Sequence, residues 1–219
     1  MEAKTLEGLQ SLLSRQVNHI IKTRFKVSGI NQSEVENMLC SCYEANVIKR
    51  RADFKLDEAT KTRIRKAAKW LTGDFKPGLL IYGGACGTGK TTMAAAICDL
   101  VNYLYDSAYS NERKSVYRVT AINLVKAYSE NPELYRRYVN QELLFIDDVG
   151  TEPSSIKIYG NEFSPLTELL YTRYDRMSWT ILTSNLTDDQ INDRYGTRIY
   201  DRLKEMVERM HFDGASYRK

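Results

Sequence analysis

The first third of the chain has apolar residues at helical spacing. They recur every three or four positions from Leu6 to Ile21 and again from Val35 to Cys42, which predicts two amphipathic helices. A third pattern predicts a helix from about Asp57 to Leu71, with an apolar face made of Ile64, Ala67, Ala68 and Leu71. The first third is therefore predicted to be helical.

From Leu79 onwards the pattern changes to short apolar runs separated by helical stretches. The runs that we predict to be strands are Leu79–Tyr82, Val116–Val119, Leu143–Ile146 and Trp179–Thr183. Runs of this kind suit strands that are buried on both faces, as in a parallel sheet covered by helices on each side. The predicted fold class is α/β, a three-layer α/β/α sandwich with a parallel sheet, preceded by a small helical region.

Capping signals predict the later helices. Ser164 precedes Pro165, a residue that favours the first helical position, and Thr187 with Gln190 forms a capping-box pattern. A last helix is predicted from the apolar spacing of Ile199, Leu203 and Met206. Helices are thus expected between and after the strands.

Composition excludes some classes of protein but does not indicate a function. The 219 residues are 42% hydrophobic and 27% charged, as in an ordinary globular chain. No apolar run approaches the ~20 residues that span a bilayer, and the first ten residues lack the features of a secretion signal. We expect a cytoplasmic protein without a membrane partner. The four cysteines lack zinc-ligand spacing, so we expect reduced thiols.

Charge permits a nucleic-acid partner without indicating one. The net charge is only +4, although basic residues are concentrated between positions 44 and 76. That concentration has two interpretations, a solvated helical surface or a patch that follows a phosphate backbone.

A phosphate-binding motif follows the first predicted strand. The pattern G-x-x-x-x-G-K-[ST] is matched by Gly84, Ala85, Cys86, Gly87, Thr88, Gly89, Lys90 and Thr91. Glycines let the backbone N–H groups turn towards phosphate oxygens, and the following helix adds the positive end of its dipole. We expect Lys90 to neutralise the β and γ phosphates and Thr91 to bind Mg²⁺, since a ligand-free turn would not require either residue.

Two further strand ends carry candidate chemistry. Leu143–Ile146 leads into Asp147 and Asp148, which has the form of a Walker B motif. Asp147 would bind Mg²⁺, and Asp148 would orient or deprotonate the attacking water. Asn185 follows the next strand and could bond the γ-phosphate or its water. The structural alternatives are a pair of acids in a turn and an asparagine that caps a helix.

Together these motifs resemble the AAA+ ATPases of the DnaC and IstB type. The resemblance covers roughly residue 75 to the C-terminus, and it rests on Gly84 to Thr92, Leu144 to Gly150, Leu182 to Leu186 and Gly196 to Leu203. It implies ATP as the nucleotide and ATP hydrolysis as the activity. It also implies that Thr92 belongs to the nucleotide site and that the C-terminal helical lid of other AAA+ proteins is missing.

The last motif implies a trans-acting arginine. Arg202 matches it best and Arg198 is the second candidate, one helical turn earlier. An arginine that enters a neighbour's site places ATP between subunits, so the resemblance implies a homo-oligomer. The alternative is two solvated arginines beside the apolar face.

The resemblance implies a loader of a replicative helicase that acts on single-stranded DNA. Residues 1–56 would form a helical partner-binding region and residues 57–219 the AAA+ ATPase domain. DNA would lie along residues 121–140, where Lys126, Arg136 and Arg137 could follow its backbone and Tyr135 and Tyr138 could stack on its bases. The alternative is an amphipathic helix that merely exposes arginines.

Other functions remain open from the sequence. One is an IstB-like helper that binds duplex DNA and activates a transposase, and another is a P-loop small-molecule kinase. A third is an ATP switch that hydrolyses weakly, because Asp148 occupies a position where many AAA+ proteins have the longer glutamate. GTP is disfavoured because no N-K-x-D element follows the phosphate motifs.

Overall fold

The computed structural model describes residues 6–23, 25–84, 86–106 and 113–213. The helices are α1 (Leu6–Thr23), α2 (Gln32–Lys49), α3 (Glu58–Thr72), α4 (Lys90–Leu104), α5 (Ala121–Glu130), α6 (Pro132–Asn140), α7 (Pro165–Asp175), α8 (Asp188–Tyr195) and α9 (Thr197–Met206). The strands are β1 (Gly78–Tyr82), β2 (Tyr117–Thr120), β3 (Leu144–Val149), β4 (Ile156–Ile158), β5 (Asn161–Phe163), β6 (Thr180–Ser184) and β7 (Val207–His211).

Five strands form one parallel sheet in the order β2-β3-β6-β1-β7. The four predicted strands are confirmed, and β1 and β6 at the centre are almost wholly buried. The run Val116–Val119 differs from the expectation of burial on both faces. It forms the edge strand β2, where Tyr117 and Arg118 are exposed. Because all five strands run the same way, β1, β3 and β6 end at one edge of the sheet.

Helices cover both faces of the sheet, which confirms the predicted three-layer architecture. One apolar core joins α2, α3 and α4 to Leu79 and Ile81 of β1. A second core joins the helices α5 to α9 to Leu80, the residue between them. Since successive side chains of a strand point to opposite faces, β1 contributes to both layers. Within the described ranges, no helix is long and apolar enough to cross a membrane.

Local capping fixes where several helices start. The side chain of Asn31 accepts a hydrogen bond from the Glu34 amide and completes a capping box before α2. The predicted box of Thr187 and Gln190 before α8 is confirmed. Such caps contribute about 1 kcal/mol each. Ser164 lies at the predicted start of α7, but its side chain makes no capping hydrogen bond. Pro165, at the first helical position, is therefore the residue that favours a helix start here.

Three strands, β4, β5 and β7, were not predicted from the sequence. The strand β7 carries charged residues among its apolar ones, because it pairs only with β1 at the edge of the sheet. The β4–β5 hairpin has strands of three residues, too short for a periodic signal. Its turn places Tyr159 (φ 50°) and Gly160 (φ 84°) in the left-handed region, and Tyr159 is fully exposed.

The helix α2 shares its core with the phosphate-loop helix α4. Val35, Leu39 and Tyr43 are buried in the first core, and the Asn46 side chain donates to Asp99 of α4 over 2.7 Å. Residues 32–49 are therefore packed against the layer that carries the phosphate loop. The boundary at residue 56 between a partner-binding region and an ATPase domain stays a prediction.

The four cysteines are free. Cys98 on α4 is buried, and burial raises the pKa of its thiol to about 12. A thiol with such a pKa stays protonated near neutral pH and is a poor nucleophile.

Arg173 of α7 is a fully buried cation. Its Nε donates to Thr180 Oγ1 over 2.7 Å, and its terminal nitrogens donate to the carbonyls of Gln141 and Trp179 over 2.9 and 2.6 Å. Burial, with a smaller effect of Arg176, lowers the pKa of Arg173 to about 10. These bonds join α7 to the start of β6 and to the segment that precedes β3.

Replacing Arg173 by methionine should lower the free energy of unfolding by about 3 kcal/mol, because carbonyls at both attachment points lose their donors. The free energy of unfolding of Arg173→Lys should lie between those of the wild type and Arg173→Met, since one ammonium cannot reproduce the planar fork of donors. Urea titration followed by circular dichroism measures both. The exposed Arg176→Ala is the control, with an expected change within about 0.5 kcal/mol. Equal stability of all variants would contradict this role.

Candidate functional site

The phosphate loop connects β1 to α4 through a backbone that requires glycine. Gly83 has φ 147°, and a Cβ there would lie 2.4 Å from the carbonyl oxygen of Phe212. Gly89 has φ 94°, and a Cβ there would lie 2.8 Å from the hydroxyl of Tyr43. Both positions combine a positive φ with close neighbours, so a residue with a side chain would be strained there. Ala85 lies outside the described residues.

Lys90 is the first residue of α4 and is 6% exposed. Its Nζ donates to the carbonyl of Gly83 over 2.9 Å and to Thr88 Oγ1 over 3.3 Å. The ammonium is therefore held at the loop. No side chain caps the N-terminus of α4, whose N-cap residue is Gly89. Amide groups and the helix dipole at such an end favour an anion.

The predicted metal ligands Thr91 and Asp147 are in direct contact. Thr91 Oγ1 donates to Asp147 Oδ1 over 2.9 Å, across the gap between α4 and β3. The hydroxyl of Thr183, on β6, donates to the same carboxylate oxygen. A hydroxyl and a carboxylate fit Mg²⁺, which takes one or two protein oxygens and completes its octahedron with phosphate and water. Across the parts of the chain that are described, no three acidic, His or Cys side chains group into a metal site.

Asp148 has a strained backbone that alters the direction of the strand end. Its φ is 56°, its N–H donates to Thr183 Oγ1 over 2.9 Å, and its carbonyl accepts from the Thr151 hydroxyl over 2.7 Å. The pairing of β3 with β6 is irregular between Ile146 and Val149. A left-handed non-glycine residue costs about 1 kcal/mol or more and is found most often at functional sites. It interrupts the alternation of the strand, and Asp148 lines the same cleft as Thr91.

Asn185 lines the cleft from the end of β6. The preceding Ser184 donates to the carbonyl of Val149 over 2.6 Å and accepts from the amide of Leu186 over 3.1 Å. These bonds fix the backbone on both sides of Asn185. Thr183 was not identified from the sequence, although it links both acids to β6. A hydroxyl residue near the end of a strand, two positions before Asn185, was the available signal.

The cleft has a volume of about 970 Å³ and a second wall that the sequence did not predict. Residues 43–55 form it, from the C-terminal half of α2 and the segment that follows. The apolar part comprises Tyr43, Val47, Ala52 and Phe54, and the charged part comprises Arg50, Arg51, Asp53 and Lys55. The rings of Tyr43 and Phe54 pack edge to face, with their centroids 6.2 Å apart.

Part of the basic concentration between positions 44 and 76 therefore faces the cleft. Arg51 lies two residues after the end of α2 and has φ 56°, a position where glycine is common. Its amide donates to the carbonyl of Ile48 over 2.8 Å, and the Ala52 amide donates to that of Val47 over 3.3 Å. These bonds turn the chain into the cleft wall.

The two candidate arginines do not line the cleft of their own chain. Arg198 and Arg202 lie on α9, where the guanidinium of Arg202 stacks on Tyr171 and Tyr174 of α7. Arg198 is exposed, and its guanidinium is 5.6 Å from the ring of Tyr171. The structure thus brings the candidate residues of the loop, β3 and β6 together and leaves both arginines on a separate surface.

Tyr138 is not available to stack on bases and Tyr135 is half-buried, so residues 132–140 fit the alternative of an amphipathic helix that exposes arginines. Tyr138 is buried and packs against Tyr117, with their ring centroids 5.5 Å apart. The Tyr135 hydroxyl donates to the carbonyl of Pro165 over 2.8 Å, and burial raises the pKa of Tyr135. Both rings face the core because they supply the apolar side of the short helix α6. Arg136 and Arg137 between them are exposed.

Comparison with known proteins gives a consistent fold. No family model matches the sequence. The chain is similar to the DnaC helicase loader, with a TM-score of 0.56 and 16% identity over 79% of this chain and 99% of that chain. It is similar to DnaI, with a TM-score of 0.58 and 19% identity over 90% and 99% of the two chains.

The replication initiator DnaA, in a structure with AMPPCP and single-stranded DNA, is also similar. The TM-score is 0.55 and the identity 19%, over 74% of this chain and 49% of the DnaA chain. The parallel sheet, the phosphate loop and the acids at the end of β3 agree with this likeness. The chain therefore shares the fold of the DnaC, DnaI and DnaA structures.

Proposed function

We propose that this chain is an ATP-dependent loader of a replicative helicase that acts on single-stranded DNA. The observation that carries the proposal is the cleft at the sheet edge. Lys90, Thr91, Asp148 and Asn185 line it, and Asp147 contacts Thr91. Similarity to the DnaC helicase loader supports the biological role.

The triphosphate lies along the phosphate loop in this proposal. Amides at the start of α4 bind the phosphate oxygens, and Lys90 turns from the carbonyl of Gly83 to the β and γ phosphates. Cys86, Gly87, Thr88 and Thr92 line the same part of the cleft, with Gly84 at the end of β1. The apolar wall of Tyr43, Val47 and Phe54 takes the purine ring of ATP. Similarity to a DnaA that holds AMPPCP supports a nucleotide here.

Hydrolysis requires an oriented water and stabilisation of developing charge. Asp148 holds and deprotonates the water, and the Asn185 amide bonds the γ-phosphate or that water. Thr91 and Asp147 hold Mg²⁺, which offsets the negative charge of the phosphates. Thr183 keeps both acids in position through its bonds to Asp147 and Asp148.

The arginine that completes the site comes from a second copy of the chain. Arg202 is the candidate, with Arg198 one turn earlier, since neither lines the cleft of its own chain. The active form is therefore a homo-oligomer with ATP between subunits. An arginine supplied in this way stabilises charge in the transition state of phosphoryl transfer.

The helix α1 is the proposed contact with the helicase. Its Leu6, Leu9, Leu12 and Leu13 are between 44% and 72% exposed. The four leucines occupy one side of the helix, a pattern that suits docking into an apolar groove of a partner. Residues 1–56 are thus proposed as the partner-binding region, although part of them also lines the cleft.

Single-stranded DNA contacts the surface of α5 and α6 in this proposal. The exposed Arg136 and Arg137 bind its phosphates. Lys126 is 61% exposed and pairs with Glu130 over 3.6 Å, so it contributes less. Similarity to a DnaA structure that contains single-stranded DNA supports this partner.

Lys90→Ala should weaken ATP binding by at least about a hundredfold, because the buried ammonium that faces the phosphates is lost. Titration of a fluorescent ATP analogue in the presence of Mg²⁺ measures the dissociation constant. Lys69→Ala, on the exposed side of α3, is the matched control and should bind as the wild type does. Unchanged affinity in Lys90→Ala would refute the assignment of the site.

Asp148→Asn should separate binding from hydrolysis. We expect ATP affinity within about threefold of the wild type and turnover lower by about 10²–10⁴-fold, because an amide cannot accept the proton of the water. Single-turnover assays with labelled ATP measure the chemical step. Equal rates in the variant and the wild type would contradict the role of Asp148. Absence of turnover in the wild type would favour the ATP switch.

Capture of the replicative helicase by this protein should depend on the leucine face of α1. We expect Leu9→Asp and Leu13→Asp together to reduce capture by at least about tenfold, because each charge would be buried at the contact. Ser11→Asp, on the opposite side of the helix, adds the same charge and should have no effect. Pull-down with purified helicase, and with a transposase in parallel, measures this. Recovery of the transposase alone would favour the IstB-like role.

A further inference from the structure

The guanidinium of Arg202 lies over two aromatic rings. The central carbon of that group lies 4.5 Å from the ring centroid of Tyr171 and 4.8 Å from that of Tyr174. Its side chain is 25% exposed, so these two rings and the surface of α9 cover most of it. Contact of a cation with aromatic faces at such distances is favourable.

The N–H edge of the same guanidinium is only weakly engaged. In the described part of the chain, Arg202 donates no hydrogen bond, and its ion partner Asp175 lies 3.6 Å away with a side chain that is 65% exposed. Arg173, two residues after Tyr171, differs because its donors bond to Thr180 and to backbone carbonyls. The donors of an arginine lie in the plane of the group, so stacking on rings leaves them available to a phosphate.

The two tyrosines are supported by rigid surroundings. Leu169 and Leu170 of α7 are buried in the second core, next to Ile199 and Leu203 of α9. The Tyr174 hydroxyl donates to Glu205 of α9 over 2.6 Å, which fixes that ring against the helix that carries Arg202. The relative position of rings and guanidinium is therefore set by the packing of α7 on α9.

We propose that Tyr171 and Tyr174 are positioning residues for Arg202. They hold the guanidinium so that its N–H edge meets a phosphate of ATP bound to a neighbouring subunit. This inference rests on the proposed function, in which Arg202 acts in trans. An unsupported arginine loses side-chain entropy when it is immobilised, and an arginine held in advance loses less. Arg198 lies farther from Tyr171, at 5.6 Å, and is exposed, so it has less of this support.

The test compares Tyr171→Leu with Tyr171→Phe in the assembled protein. Loss of the ring should lower kcat for ATP by about tenfold and leave KM unchanged, since the subunit's own cleft is intact. Phenylalanine keeps the ring and should retain the wild-type kcat. An unchanged or raised kcat in Tyr171→Leu would overturn the proposal, and a raised value would mean that the tyrosines restrain Arg202.

Mixing subunits distinguishes positioning from a fold defect. Tyr171→Leu subunits keep a working cleft, and Lys90→Ala subunits keep a working arginine. A mixture should therefore exceed the turnover of either variant alone. A mixture that shows no gain would contradict the positioning role. Arg202→Ala distinguishes failure of the proposed function from failure of this inference. Wild-type turnover in Arg202→Ala would refute the trans-acting arginine of the proposed function. Loss of turnover in Arg202→Ala, together with wild-type turnover in Tyr171→Leu, would refute this inference alone.

Discussion

The parallel pairing of β3, β6 and β1 is the constraint on which the candidate site depends. In parallel strands of equal register, the carboxyl ends meet at one edge. Ile146 lies opposite Leu182, and Leu80 lies opposite Leu182 on the other side, so the three strands end level. The start of α4 and the last residues of β3 and β6 then lie within hydrogen-bond distance of one another, as the contacts of Asp147 with Thr91 and Thr183 demonstrate. A slip of one residue would turn every side chain to the other face.

The local parts of the site could be predicted from the sequence because each is encoded in consecutive residues. The phosphate loop needs glycines at fixed offsets, and the two acids of β3 directly follow an apolar run. The second wall of the cleft could not be predicted in this way. Tyr43 and Phe54 are far from the loop in the chain, and only the packing of α2 on α4 brings them to it.

The direction in which side chains point was the other feature that could not be predicted from the sequence. Tyr135 and Tyr138 looked like a surface motif because they flank two arginines, yet α6 has only nine residues and uses its aromatic side as its apolar face. The same difficulty applies to the strand β7, whose charged residues hid its pairing with β1. Helical or strand periodicity identifies an amphipathic element, but it does not identify which side the tertiary fold covers.

The contact of Tyr43 with the phosphate loop has a thermodynamic consequence. The hydroxyl of this α2 residue fills the space beside Gly89, so a displacement of α2 alters the loop that holds the triphosphate. A protein that binds the N-terminal helices and shifts α2 must change the affinity for nucleotide. By reciprocity, nucleotide must change the affinity for that protein by the same factor. Through Tyr43, a single coupling free energy would then describe both the effect of nucleotide on release of the partner and the effect of the partner on nucleotide binding.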